Sequence, residues 1–219
     1  MKLLIISDLH LTTNFIKKKF NFLNKIISAS DKVIINGDFW SAYYNTFDEF
    51  VNSPWNRLFP LLKSRGAIYI YGNHDRKNWC DARVNLFSIK QADEYKFKYS
   101  DKLTLLFNHG HKYLGDSVSN EKFMSFWRKY KIDVIKYLFE SLFLRIFGRF
   151  IYYPARLLNK KIKERVGDLG NDIYLVTGHT HWRELDLKNR FLNSGIIHAG
   201  VASYIVIENG EIKAVSARY

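Results

Sequence analysis

The chain predicts an α/β fold built on a parallel-type sheet, and three features of its first half predict it. The segments "KLLIIS", "KVIIN" and "AIYIYG" are short, apolar and rich in β-branched residues, as buried strands are. Between them, Phe15 to Ser28 and roughly Thr46 to Ser64 read as helical. The resulting βαβαβ order is the one in which crossover helices join parallel strands and cover the sheet.

The later elements follow in turn. "EYKFKYS" and "KLTLLFNHG" read as two strands joined by a short turn, and "DIYLVTG" as another. The tail reads as a meander of "WRELDLK", "RFLNSG" and "SYIVIENGEIKAVSAR", the last a hairpin turning at Asn209-Gly210. At 219 residues the chain fits one domain, with residues 115–167 as a helical insertion within it.

That insertion lacks any strand pattern and reads as two helices. On the first, Lys122, Ser125, Lys129, Asp133, Lys136 and Glu140 share one face, opposite Phe123, Phe126, Trp127, Tyr130, Ile135, Leu138, Leu142 and Phe143. On the second, Arg145, Arg149, Arg156, Lys160 and Lys163 form a stripe, and Pro154 should kink or split the helix. "YLFESLFLRIFGRFIYY" is strongly apolar, but Glu140, Arg145 and Arg149 interrupt it. No run of about 18 uncharged apolar residues remains to span a bilayer.

Composition is that of a soluble globular protein, 47% apolar and 25% charged. Cys80 is the single cysteine, which excludes an intrachain disulfide and suits a reducing, cytoplasmic compartment. The opening "MKLLIISDLH" lacks the pattern of a signal peptide. Thirty-four Lys and Arg against 21 Asp and Glu leave +13, which favours anionic partners or reflects a genome rich in Lys and Asn codons. From Asp116 to Val166 there are 12 Lys and Arg and 5 Asp and Glu, a net +7. Such a stripe fits the anionic inner face of a membrane or an acidic amphiphile. It also fits a nucleic-acid backbone, or simply a solvated face on a helical hairpin.

The strand ends carry the chemistry. Asp8-Leu9-His10 follows the first strand, Gly37-Asp38 the second and Gly72-Asn73-His74-Asp75 the third. Asn108-His109-Gly110 follows "LTLLF", and Gly178-His179-Thr180-His181 follows "YLVT". In open α/β sheets ligands bind beyond the carboxyl ends of strands. Asp8, His10, Asp38, Asn73, His109, His179 and His181 supply two carboxylates, one amide oxygen and four imidazoles. That mixed nitrogen and oxygen set suits manganese first, then iron, zinc or cobalt, and is poor for calcium or magnesium. Seven donors exceed one tetrahedral ion and match two divalent ions roughly 3.5–4 Å apart.

"DLH", "GD", "GNHD", "NHGH" and "GHTH", in this order, resemble the calcineurin-like metallophosphoesterase family, and "FLNSG" resembles the strand that follows "GHTH" in its bacterial members. The resemblance implies an αββα sandwich of two mixed sheets flanked by helices, around a dinuclear centre. It implies that Asp8, His10, Asp38 and His181 hold one ion, and Asp38, Asn73, His109 and His179 the other. His74 would then steady the phosphoryl oxygens or protonate the leaving group, with Asp75 orienting it. His111 would stand behind the ligands or touch substrate, and His198 reads as structural.

Ser41 stands where many members have the second acid of "GDxxD". "GDFWSAY" instead resembles "GDLFEAW" of the enzymes that cleave UDP-2,3-diacylglucosamine, although those carry Arg where this chain has His74. The resemblance therefore implies a lipid- or nucleotide-linked phosphate or pyrophosphate as substrate, with nucleic acid as the alternative. A retromer scaffold subunit shares this fold without several metal-site residues, whereas all seven donors are present here.

Overall fold

The computed structural model describes residues 1–115, 121–130, 132–167, 169–170 and 172–219, with the side chains of 121–123 and 149 also left aside. Residues 116–120 and 131 of the expected insertion, and the Lys122, Phe123 and Arg149 side chains of its expected faces, lie outside the described part.

β1 (Lys2–Ile6), β2 (Lys32–Asn36), β3 (Ile68–Ile70) and β4 (Lys90–Ala92) are parallel neighbours, joined through α1 (Lys17–Ser28), α2 (Phe47–Val51) and α3 (Phe59–Ser64). β11 (Val201–Glu208) pairs antiparallel with β1, β12 (Glu211–Arg218) and the short β10 (Ile197–His198). A second sheet runs β5 (Glu94–Ser100), β6 (Leu103–Asn108), β7 (Ile173–Thr177), β9 (Phe191–Asn193), β8 (Glu184–Asp186). Its inner strands are parallel and its two edges antiparallel. Both sheets are thus mixed, as the αββα expectation requires. β4 and β10 escape sequence reading because two or three residues carry no period.

Alternation along the strands builds two apolar layers. Leu3 and Ile5 of β1, Ile34 of β2 and Ile207 of β11 meet Leu105, Phe107, Val176 and Leu192 of the second sheet. Leu4, Ile6, Val33 and Ile35 point the other way, onto Leu23 and Ile27 of α1 and the aromatic cluster around Phe39, Phe50 and Trp55. Burial on both faces is why these strands read as unbroken apolar runs. At the carboxyl end the layer between the sheets turns polar. Asn36 donates across it to the carbonyls of Val176, at 3.0 Å, and Asn108, at 3.4 Å. The Ser7 and Ser194 hydroxyls share a hydrogen bond of 2.7 Å there.

Between β6 and β7 the chain runs through α4 (Glu121–Lys129), α5 (Ile132–Phe147), a 3-10 stretch (Gly148–Ala155) and α6 (Arg156–Val166). Pro154 sits where the tight 3-10 winding gives way to α6, so the predicted break is there. The orientation of α5 reverses the expectation of a solvated charged face. Asp133, Tyr137 and Glu140 face inward and Leu144 is buried against Ala199 and Val201, while Ile135, Leu138, Phe139, Leu142, Phe143 and Ile146 are exposed. Asp133 and Glu140 of the polar stripe are thus partly covered by the protein itself, while Ser125, Lys129 and Lys136 stay exposed. α6 packs conventionally, burying Ile162 on Leu175 and Phe191.

One buried cation departs from the usual pattern. Lys19 of α1 is buried, unlike the exposed Lys17 and Lys18, and its ammonium donates to the Leu9 carbonyl between Asp8 and His10. Burial lowers its pKa to about 7, against a smaller upward pull from Glu140. Between about pH 7 and the ordinary lysine value the unfolded chain therefore holds a proton that the folded chain lacks. Protonation favours unfolding over that window, so stability should rise with pH across it. The slope approaches about 1.4 kcal/mol per pH unit. Urea denaturation of metal-free protein between about pH 7.5 and 9.5 should show this slope in wild type and lose it in Lys19→Met.

Candidate metal centre

Every predicted donor lies at the carboxyl end of a strand, and the structure brings all seven into one cluster. Nε2 of His181 lies 3.3 Å from Asp8 Oδ1 and 3.2 Å from Nε2 of His10. Nε2 of His109 lies 3.2 Å from both Asp38 Oδ2 and Asn73 Oδ1, and Nδ1 of His179 lies 2.8 Å from the same Asn73 oxygen. Asp8, His10 and His181 form one trio whose ligand atoms lie within 4.8 Å of one another. Asp8, Asp38 and His109 form another, and His10, Asp38 and His74 a third, so His74 stands as near as the predicted ligands.

The backbone beneath the cluster is strained. Asp8, His10, Asp38, His179 and His181 have φ between 45° and 66°, the left-handed region. Non-glycine residues visit it rarely, and each visit costs on the order of 1 kcal/mol. The close turns at the strand ends are thus made by the donors together with Gly37 and Gly110, whose φ are 87° and 111°. Gly72 and Gly178 have ordinary φ and contribute space instead. A Cβ at Gly72 would collide with the Asp38 carboxylate and backbone, and one at Gly178 with the Asp8 carboxylate and Ser7. Concentrating strain at five neighbouring polar residues is the pattern of a functional site.

The donor atoms also fit a cation. His109 donates from Nδ1 to the Asn36 carbonyl at 2.8 Å, so in its neutral form Nε2 presents a lone pair to Asp38 and Asn73. Three acceptors then converge with no proton between them, an arrangement that repels unless a positive charge sits among them. Burial alone would lower the His109 pKa. The Asp38 and Asp8 carboxylates and its hydrogen bonds override burial and raise it to about 10, drawing a proton to the place a cation would fill. Burial lowers the pKa of His10, and that of His179 to about 4, so both are neutral and offer lone pairs at pH 7. Burial would raise the Asp38 pKa, but the imidazoles of His109, His74 and His10 hold it well below the carboxylate range.

The surrounding residues correct one reading. Asp75 does not orient His74. Its carboxylate accepts the backbone N–H groups of Gly72 at 2.6 Å, Phe39 at 2.6 Å and Asp38 at 3.1 Å, and so ties the third strand's loop to the second's. Burial, with the Asp38 charge next, raises its pKa to about 7. Ser41 is the group beside His74, with its hydroxyl 3.1 Å from Nδ1. His198 shares a 2.8 Å hydrogen bond with Glu140, and its ring lies 6.1 Å from that of His10. No sequence signal pairs residues 58 apart, so this contact was invisible before the fold.

The aromatic turn after Asp38 divides between core and site. Trp40 is core, Tyr43 lies against the His74 ring at 4.1 Å, and Tyr44 stacks on Trp127 of α4. His111 keeps its ring 5.6 Å from His109 and 6.2 Å from His179, on a flank shared with Arg76 and Lys77. On the opposite flank a cavity of ≈ 70 Å³ adjoins the cluster. His10, His74 and His181 line it on one side, and Lys136, Tyr137 and Glu140 of α5 on the other. Behind "GHTH", Asn193 donates to the Gly178 carbonyl at 2.8 Å and Thr180 Oγ1 at 3.0 Å, and Asn159 of α6 accepts from Thr180 at 2.7 Å. The "FLNSG" strand therefore holds the loop that carries His179 and His181.

The role of Asp75 is open to a direct check. Asp75→Asn turns one acceptor into a donor facing a backbone N–H, which should cost about 1–3 kcal/mol. Thermal unfolding should fall by about 2–4 °C per kcal/mol. A residue that only oriented His74 would leave the melting temperature unchanged.

The sequence matches the family model of the calcineurin-like phosphoesterases over residues 1–196. A search of curated proteins found no matching sequence. Among solved structures, a dimetal phosphatase from Danio rerio aligns over 100% of this chain and 99% of its own, at 11% identity and a TM-score of 0.52. The phosphoesterase YfcE from E. coli aligns over 98% of both chains, at 18% identity and a TM-score of 0.49. A mutant of Vps29 from Entamoeba histolytica covers 100% of this chain and 99% of its own, at 15% identity and a TM-score of 0.47. The first of these likenesses supports the fold, and the family match over most of the chain supports more. The chain belongs to the calcineurin-like phosphoesterases, and its chemistry is metal-dependent phosphoester hydrolysis.

Proposed function

We propose that Asp8, His10, Asp38 and His181 hold one divalent ion and Asp38, Asn73, His109 and His179 a second, with manganese the metal to test first. The substrate we infer is a lipid- or nucleotide-linked phosphate or pyrophosphate. The observation that carries the metal assignment is the convergence of imidazoles, carboxylates and one amide oxygen on a strained backbone. When bound, two such ions would acidify a water molecule and neutralise charge on the phosphoryl oxygens.

The chain's own groups do the rest. One Asp38 oxygen accepts the His74 backbone N–H at 2.8 Å, while the other faces His109, so this carboxylate is fixed from both sides. The buried Ser41 hydroxyl has His74 Nδ1 as its hydrogen-bond partner among the described residues. Donation in that direction leaves the His74 proton on Nε2. Burial lowers the His74 pKa to about 4, which keeps the ring neutral at pH 7. His74 then acts as an N–H donor to a phosphoryl or leaving-group oxygen.

The cavity beside the cluster offers a place for the phosphoryl group. Its ≈ 70 Å³ lies between the cluster and the polar inner side of α5, where Lys136 pairs with Glu140 at 3.6 Å. A space of this size takes a phosphoryl group, with the rest of the substrate outside it. UDP-2,3-diacylglucosamine is the specific compound to assay, beside bis-p-nitrophenyl phosphate and p-nitrophenyl phosphate.

Manganese-loaded protein should hydrolyse at least one of these, and Asp38→Ala should lose metal and more than about 10²-fold of the rate. Retention of both metal and rate in Asp38→Ala would sink the assignment. Ser41→Ala should lower kcat by roughly tenfold with KM little changed, and more for an alkoxide leaving group than for p-nitrophenolate. Equal losses on the two leaving groups would show that His74 does not serve the leaving group.

A further inference from the structure

The outer face of α5 is the largest feature that phosphoester chemistry leaves unexplained. Ile135, Leu138, Phe139, Leu142, Phe143 and Ile146 recur at the spacing of one helical face, and all are half exposed or more, with Leu138 at 61% and Ile146 at 65%. The row spans 12 residues, about 17 Å of helix, and Phe150, at 68%, continues it. A water-soluble helix places such a stripe against its own core. Here the core side of α5 is taken by Asp133, Tyr137 and Glu140, which line the catalytic cavity. The helix is therefore inverted, and a patch of this size marks an interaction surface.

We propose that this face seats the protein on an anionic lipid bilayer, with α5 lying in the plane of the surface. Charge decides between a bilayer and a second copy of the chain. Lys129, Arg145, Arg156, Lys160 and Lys161 are exposed on the same helical segment. Asp133 and Glu140 turn inward, and among the described residues of the segment Glu164 is the exposed acid, 3.8 Å from Lys160. A two-fold interface built on this face would press like-charged rims together, whereas anionic headgroups would meet both the apolar row and its cations.

The geometry also joins the surface to the site. An in-plane helix buries its apolar face to about 5–10 Å, at the headgroup and acyl boundary. The opposite side of the same helix faces His10, His74 and His181 across the cavity. A phosphate carried at headgroup level thus lies about one helix diameter, roughly 10 Å, from the cluster. This last step rests on the proposed substrate class, but the seating does not.

Flotation of the metal-free full chain with phosphatidylcholine vesicles, with and without about 30 mol % phosphatidylglycerol, tests the seating. Wild type should float with the anionic vesicles. A Leu138→Glu/Phe143→Glu variant should bind them about tenfold or more weakly, while its melting temperature and manganese-dependent hydrolysis of bis-p-nitrophenyl phosphate match wild type. Arg145→Glu/Lys160→Glu should lose the preference for anionic over neutral vesicles. Wild type that stays at the bottom of the gradient, or a double apolar variant that floats equally, overturns the proposal. So does a lipid-free dimer that Leu138→Glu converts to monomer, because the face would then belong to a second copy. Flotation, the melting temperature and the oligomeric state need no working metal centre, so a failed hydrolysis assay and a failed flotation remain distinguishable.

Discussion

Seven polar side chains from five strand ends are held with their acceptor atoms 2.8–4.0 Å apart, and that crowding is the constraint around which the rest of the molecule is arranged. Acceptor atoms so placed repel one another unless a proton or a cation lies between them. The fold must therefore hold them by force. It does so with left-handed backbone at five of the seven, with Gly72 and Gly178 leaving the carboxylates room, and with Asp75 gathering three backbone N–H groups beneath the Asp38 turn. The apolar layers on either side of the first sheet supply the stability that such an arrangement consumes.

The polar network behind the donors serves the same end. Asn36 fixes the His109 ring through its carbonyl and bridges to the second sheet through its amide. Asn193 and Asn159, hydrogen-bonded to each other, together hold the "GHTH" loop through Thr180. The amide nitrogens of Asn36, Asn193 and Asn159 are all partnered, as buried polar groups between two sheets mostly are. They also make the relative position of the sheets part of the site's geometry, since the donors come from both. α6 joins this frame through Asn159. α5 stands outside it, attached to the core by a single buried leucine and a polar face, and its apolar residues are left toward solvent.

Much of the fold and the donor set was legible in the sequence, for definite reasons. Strands buried on both faces read as unbroken apolar runs, so "KLLIIS", "KVIIN" and "DIYLVTG" were placed within a residue or two. Donors cluster at strand ends because parallel strands deliver their carboxyl ends to one side of a sheet. That is why five short motifs in sequence order become one site. Lys19 was missed because a lysine between Lys18 and Phe20 on a basic helix gives no hint that it is the one turned inward.

The sequence by itself indicated most strands in their order, the polar residues at five strand ends and the family resemblance, because each rests on local pattern and spacing. The two helices it suggested for the insertion are three with a 3-10 stretch. Only the tertiary structure decided that Ser41 rather than Asp75 attends His74, that His198 meets Glu140, and that α5 faces outward with its apolar side. Each of these depends on which of two similar surfaces meets a partner far away in the chain. Periodicity shows that a helix has two faces, but which face is turned toward the protein is settled by what the opposing surface needs. Beside α5 that surface is a polar cavity holding three histidines of the site, and it takes the helix's polar side.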